Sequence, residues 1–127
     1  MKRKILVVDD EALLRELVQA CLEDLAGWET QTASSGEECL QILQTESVNA
    51  ILLDVSMPGM DGFSVYEQLQ ADPKTRSIPV ILLTAKVLPS DRAKFAEMGV
   101  AGVISKPIEP MTLMAEIGDI LNWKTEL

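Results

Sequence analysis

The chain has 127 residues, enough for one domain that buries most of its apolar surface. A formal charge of −9 disfavours nucleic acid as a direct partner, and no apolar run approaches the ~20 residues of a membrane helix. The absence of histidine excludes His-based acid–base catalysis, His-ligated metals and a phosphohistidine-carrier role.

In chain order, the basic start Lys2-Arg3-Lys4 precedes an apolar run too short for a signal peptide, so a cytoplasmic location is expected. That run, residues 5–8, ends in Asp9 and Asp10. Leu13, Leu14, Leu17, Val18, Cys21, Leu22 and Leu25 then recur at helical spacing and predict a first helix ending near Gly27. Residues 28–33 predict a less apolar strand at the sheet edge. Ser35 with Glu38 resembles a capping box that opens a helix through Gln44. The run 50–53 ends in Asp54, and a Pro/Gly-rich loop, 57–62, leads to a helix over 63–70 that stops before Pro73. The run 80–83 ends in Thr84. Ser90 is expected to cap a short helix reaching Met98, with Gly99 as its stop. The last strand runs from Gly102 to Lys106, and Pro110 suits the first turn of a final helix with Leu113, Ile117, Ile120 and Leu121 facing inward. Cys21 and Cys39 fall in predicted helices without metal-ligand spacing and read as buried, reduced thiols.

This alternation predicts a single doubly wound α/β domain, a five-fold (βα) unit over residues 1–127 with its core at about 4–123. Four of the strand runs are Val/Ile/Leu-rich without alternation, which reads as a parallel sheet covered on both faces. Parallel strands end along one edge, where open α/β sheets bind ligands. Asp9, Asp10, Asp54, Thr84 and Lys106 would therefore converge, although they are scattered along the chain.

Each of these residues also has an ordinary explanation. Asp9 and Asp10 could complement the dipole of the first helix, and Asp54 could bind turn amides. Thr84 could cap the sheet end, and Lys106 could be a solvated surface cation. Their joint placement favours chemistry instead. Three close carboxylates repel one another, and with one Lys nearby the cluster retains about −2, a match for one hard divalent ion such as Mg²⁺. With that charge neutralised, Asp54 could act as a nucleophile and form an aspartyl phosphate. A cis Lys106–Pro107 bond would aim the ammonium back at the carboxylates.

These residues resemble the receiver domain of bacterial two-component response regulators. The resemblance rests on Val7-Val8-Asp9-Asp10-Glu11, on the stretch from Leu53-Asp54 through Met57-Pro58 to Asp61-Gly62, on Leu83-Thr84-Ala85 and on Ser105-Lys106-Pro107. It spans Lys4 to about Trp123. The family implies a flavodoxin-like five-stranded parallel sheet with strand order 2-1-3-4-5. It also implies that Asp54 is the phosphoacceptor, and that Asp9, Asp10, Asp54 and the backbone carbonyl of Ser56 hold Mg²⁺ or Mn²⁺. Thr84 would be the switch hydroxyl and Lys106 the charge partner of Asp54. Ser56 and Lys86 occupy two variable positions flanking the path of attacking water, where Lys86 would slow hydrolysis. Val103 stands where the family often has an aromatic residue, and it is too small to swing as a relay.

The implied function is a phosphorelay switch that takes its phosphoryl group from a sensor histidine kinase or a phosphotransfer protein. The donor would dock near the first helix. Output would pass to a downstream protein or output domain, or to a second copy through the fourth helix, fifth strand and fifth helix. No separate substrate is turned over, so the chain is not expected to be an enzyme. The alternatives are a receiver-like interaction module without phosphorylation and a Mg²⁺-dependent aspartyl phosphatase. The phosphatase family places its nucleophile in an Asp-x-Asp motif after the first strand, where this chain has Asp9-Asp10-Glu11.

Overall fold

The computed structural model describes residues 3–85 and 88–123. Strands and helices alternate as β1 (Lys4–Val8), α1 (Ala12–Ala26), β2 (Glu29–Ala33), α2 (Gly36–Thr45), β3 (Ala50–Asp54), α3 (Gly62–Ala71), β4 (Val80–Thr84), α4 (Pro89–Met98), β5 (Gly102–Ser105) and α5 (Pro110–Leu121). The strands form one parallel sheet in the order β2-β1-β3-β4-β5. The doubly wound class and the strand order implied by the resemblance are both observed.

Successive strand residues point to opposite faces, and each face meets its own set of helices. Ile5, Val7, Leu52, Ile81 and Leu83 pack with Val18 and Leu22 of α1 and with Leu113, Met114 and Ile117 of α5. Leu6, Val8, Ile51, Leu53 and Leu82 pack with Cys39 and Leu43 of α2, Val65 and Leu69 of α3, and Phe95 of α4. β1, β3 and β4 are thus buried on both sides, which is why their sequences lack alternation. Cys21 and Cys39 are free and buried, as expected, and burial pushes the Cys39 thiol up to about 12.

Helix boundaries follow local chemistry. Ser35 accepts a hydrogen bond from the Glu38 amide at 3.1 Å, as the capping box requires, while the Glu38 carboxylate reaches back to the Ser34 amide rather than to Ser35. Gly27 and Gly99 end α1 and α4 at φ values of 71° and 89°.

Along the apolar stripe of α1, whose helix is observed as expected, Leu13, Leu17 and Leu25 stay 80%, 42% and 37% exposed while Val18, Cys21 and Leu22 are buried. Three expectations need correction. Ser90 does not cap α4: the N-cap is Leu88, because Pro89 takes the first helical position, where its missing N–H leaves no donor unsatisfied. β5 is an edge strand with only Ile104 fully buried, and it stops at Ser105, so Lys106 lies in the following turn. β2 begins at Glu29, with Trp28 buried just before it.

Candidate functional site

At the carboxyl edge, β1 delivers Asp9 one residue beyond its end. The Asp9 amide donates to the Ala33 carbonyl of β2 at 3.1 Å, which continues the ladder and turns the side chain into the site with no solvent exposure. Asp9 Oδ1 accepts from the Glu11 amide at 2.9 Å, and Oδ2 accepts from Lys106 Nζ at 3.0 Å. Asp54, the last residue of β3, is 2% exposed. Its Oδ1 accepts from the same ammonium at 3.2 Å and from the Ser56 amide at 3.2 Å. One lysine therefore bridges two buried carboxylates supplied by different strands.

Lys106 is held by its own backbone, whose amide donates to the Thr84 carbonyl at 2.9 Å. The Lys106–Pro107 bond is cis. Thr84 is buried at the end of β4, paired in register with Ser105 and one residue past Leu83, the register partner of Asp54. The floor of the loop after β3 depends on Gly62, where an added Cβ would lie 2.4 Å from the Asp54 carbonyl oxygen. Asp61 caps α3 beside it, accepting from the Ser64 amide at 2.9 Å.

Burial raises the Asp54 pKa, and the neighbouring Asp9 charge raises it further. The hydrogen bond and charge of Lys106 and the Ser56 amide pull it back only in part. Burial of Lys106 works to lower its pKa, but hydrogen bonds and charge from Asp9 and Asp54 outweigh it and leave the group raised. The lysine stays charged while one acid remains costly to ionise. Asp9, Asp10 and Asp54 each offer a carboxylate oxygen within 4.8 Å of the others, and Asp10 is exposed. An all-oxygen donor set open to solvent on one side suits a hard divalent cation that keeps some of its waters.

The structure brings Asp9, Asp10, Asp54 and Lys106 together and puts Thr84 on the same edge. Ser56 is exposed beside them. Pro107 helps line a shallow hollow with Glu11, Leu14, Leu17, Ala85 and Ile108. Val103 lies back along β5, half-buried against the α2–α4 side of the sheet. Lys86 falls outside the described residues. Arg15, which no sequence motif singles out, also serves the site: its Nη1 donates to the Asp9 carbonyl at 2.7 Å. A bond to a main-chain oxygen leaves no motif to read.

Residues 5–118 match the response regulator receiver domain family. Over 121 residues the chain is 42% identical to "Probable transcriptional regulator ycf27" of Cyanophora paradoxa, covering 95% of this chain and 49% of that protein. It is 40% identical over 124 residues to the response regulator PleD of Caulobacter vibrioides, covering 98% of this chain and 27% of that protein. The chain thus spans about half or less of the length of these curated relatives. Among solved structures, the chemotaxis response regulator CheY4 of Vibrio cholerae superposes with a TM-score of 0.88 at 31% identity, over 94% of this chain and 99% of that one. The receiver domain of a Pseudomonas aeruginosa sensor histidine kinase, described with a magnesium ion coordinated in its active-site cleft, matches with a TM-score of 0.82 at 25% identity, over 96% and 99% of the two chains. With its strand order, its buried acid–lysine cluster and this family match in agreement, the chain belongs to the response regulator receiver domains of two-component systems.

Proposed function

We propose that Asp54 is the phosphoacceptor of this receiver domain and that Asp9 and Asp10, with Asp54 and the Ser56 carbonyl, hold the Mg²⁺ or Mn²⁺ ion that the transfer requires. The observation that carries this reading is the single ammonium bridging Asp9 and Asp54 in a buried, net-negative cluster at the carboxyl edge. An Asp54 carboxylate oxygen attacks phosphorus, a P–O bond forms, and the P–N bond to the donor imidazole breaks. The electron pair leaves with that nitrogen, which takes up a proton. Lys106 pairs with the incoming phosphoryl oxygens as Asp54 loses its charge, and the Thr84 hydroxyl donates to one of them. When bound, the cation supplies positive charge that offsets the carboxylates and phosphoryl oxygens.

The donor is a sensor histidine kinase or a phosphotransfer protein, which implies a cytoplasmic setting. The core expected at about 4–123 acts as one receiver unit and turns over no separate substrate. Output runs through Thr84 and the α4–β5–α5 face to a downstream protein, an output domain or a second copy. Val103 leaves no aromatic side chain to relay the change, so backbone movement around Thr84 must carry it. The test is incubation with acetyl phosphate and Mg²⁺. The intact mass should rise by one phosphoryl group in the parent protein, and should not rise with EDTA or in Asp54→Asn. If the parent takes up no phosphate, the chain is an interaction module instead.

A further inference from the structure

The turn joining β1 to α1 carries two of the cluster's three acids, yet α1 starts without help from a side-chain cap. Its N-cap is Glu11, which makes no capping hydrogen bond, and its first turn has no acidic residue. By contrast α3, which follows the other acid-bearing strand, is capped by Asp61. Asp9 could have served as a cap, but its carboxylate is committed to the Glu11 amide and to Lys106. What ties the turn down is Arg15. Its guanidinium reaches back from α1 to the Asp9 carbonyl at 2.7 Å, while its own amide donates to the Glu11 carbonyl at 3.1 Å. Arg15 thus brackets Asp9, Asp10 and Glu11 between two of its own donors. With the amide bound to Ala33, every polar atom of the fully buried Asp9 has a partner.

We propose that Arg15 is a positioning residue for the acidic pair: by fixing the Asp9 carbonyl it holds the 9–11 turn so that both carboxylates face a divalent cation together. The inference rests on the metal-site reading given above. A charged donor at 2.7 Å makes a strong hydrogen bond, and a guanidinium keeps its charge at any working pH. Outer groups that orient metal ligands commonly govern metal affinity as strongly as this. A purely structural role, stapling α1 to β1, would lower stability in Arg15 variants and leave cation affinity alone.

Calorimetric titration with Mg²⁺ alone, on the parent protein, Arg15→Met and Arg15→Gln, separates the two. Replacing the guanidinium by Met should raise the Mg²⁺ Kd about 10-fold, and Gln, which keeps a neutral donor, about 3-fold. In metal-free protein the Glu11 amide of Arg15→Met should exchange with solvent about 10-fold faster, while the Val55 amide is unchanged. Unaltered Mg²⁺ affinity in a folded Arg15→Met overturns the proposal. Should that variant not fold, unaltered affinity in Arg15→Gln overturns it equally. A parent protein that binds no Mg²⁺ overturns the metal-site reading itself, and this inference with it.

Discussion

Four polar side chains are buried among the described residues, and they divide between two regions. Thr75, in the connection after α3, donates its hydroxyl to the Leu69 carbonyl at 2.7 Å, six residues away. Asp9, Asp54 and Thr84 lie at the carboxyl edge. There Lys106 meets Asp9 across 97 positions of sequence and Asp54 across 52. The Thr75 bond closes a local turn and completes a hydrogen-bond inventory. The edge cluster leaves charge uncompensated, with one acid raised in pKa by burial and by its neighbour. A buried polar group satisfied locally points to folding, whereas one held in a strained electrostatic balance across the sheet points to chemistry.

Substitutions at the two regions should therefore separate function from stability. Asp54→Asn should have the largest effect on function, abolishing phosphoryl uptake altogether. In EDTA its Tm at neutral pH should exceed that of the parent, because the change removes a charge that the fold disfavours. Calorimetry with and without Mg²⁺ checks both halves. Gly62→Ala should cost about 3 kcal/mol in urea unfolding, since the new methyl meets main-chain atoms of Asp54 and Val55 that cannot move without displacing the acceptor.

Lys106→Met should cost about 2 kcal/mol at pH 7, less than a fully buried pair would, because the ammonium keeps 22% of its side chain exposed. The sign with pH follows from Asp54. A carboxylate whose folded pKa lies above its unfolded one destabilises progressively as pH rises between the two values. The deficit of Lys106→Met should therefore shrink on acidification toward the ordinary carboxylate range, which urea unfolding across that window would measure. The smallest effect belongs to Thr75→Val. It should lower stability by about 1–2 kcal/mol and leave phosphoryl uptake unchanged, as unfolding and mass measurements on one sample would show. If Thr75→Val impaired uptake, the contrast between the two regions would fail.

Much of this was legible in the sequence, because apolar runs without alternation encode double-sided burial and their ends name the site. The run before Lys106 looks like the other three, yet β5 is a half-exposed edge strand. Sheet order, which local composition does not carry, decides that difference. The start of α4 is not legible from side chains, because Ser90 offers a capping hydroxyl while Pro89 settles the boundary through backbone geometry. The α1 leucines show the reverse limit: spacing reveals a stripe but not how much of it the sheet can cover. Arg15 was invisible because its partner is a carbonyl, and every residue has one.

The most direct test of the central claim is to locate the phosphoryl group. After incubation with acetyl phosphate and Mg²⁺, borohydride reduces an acyl phosphate to the alcohol, marking the acceptor for peptide mass spectrometry. The account predicts a single mark at Asp54, absent without Mg²⁺. A mark at Asp9 or Asp10, or uptake that persists in Asp54→Asn, would contradict it.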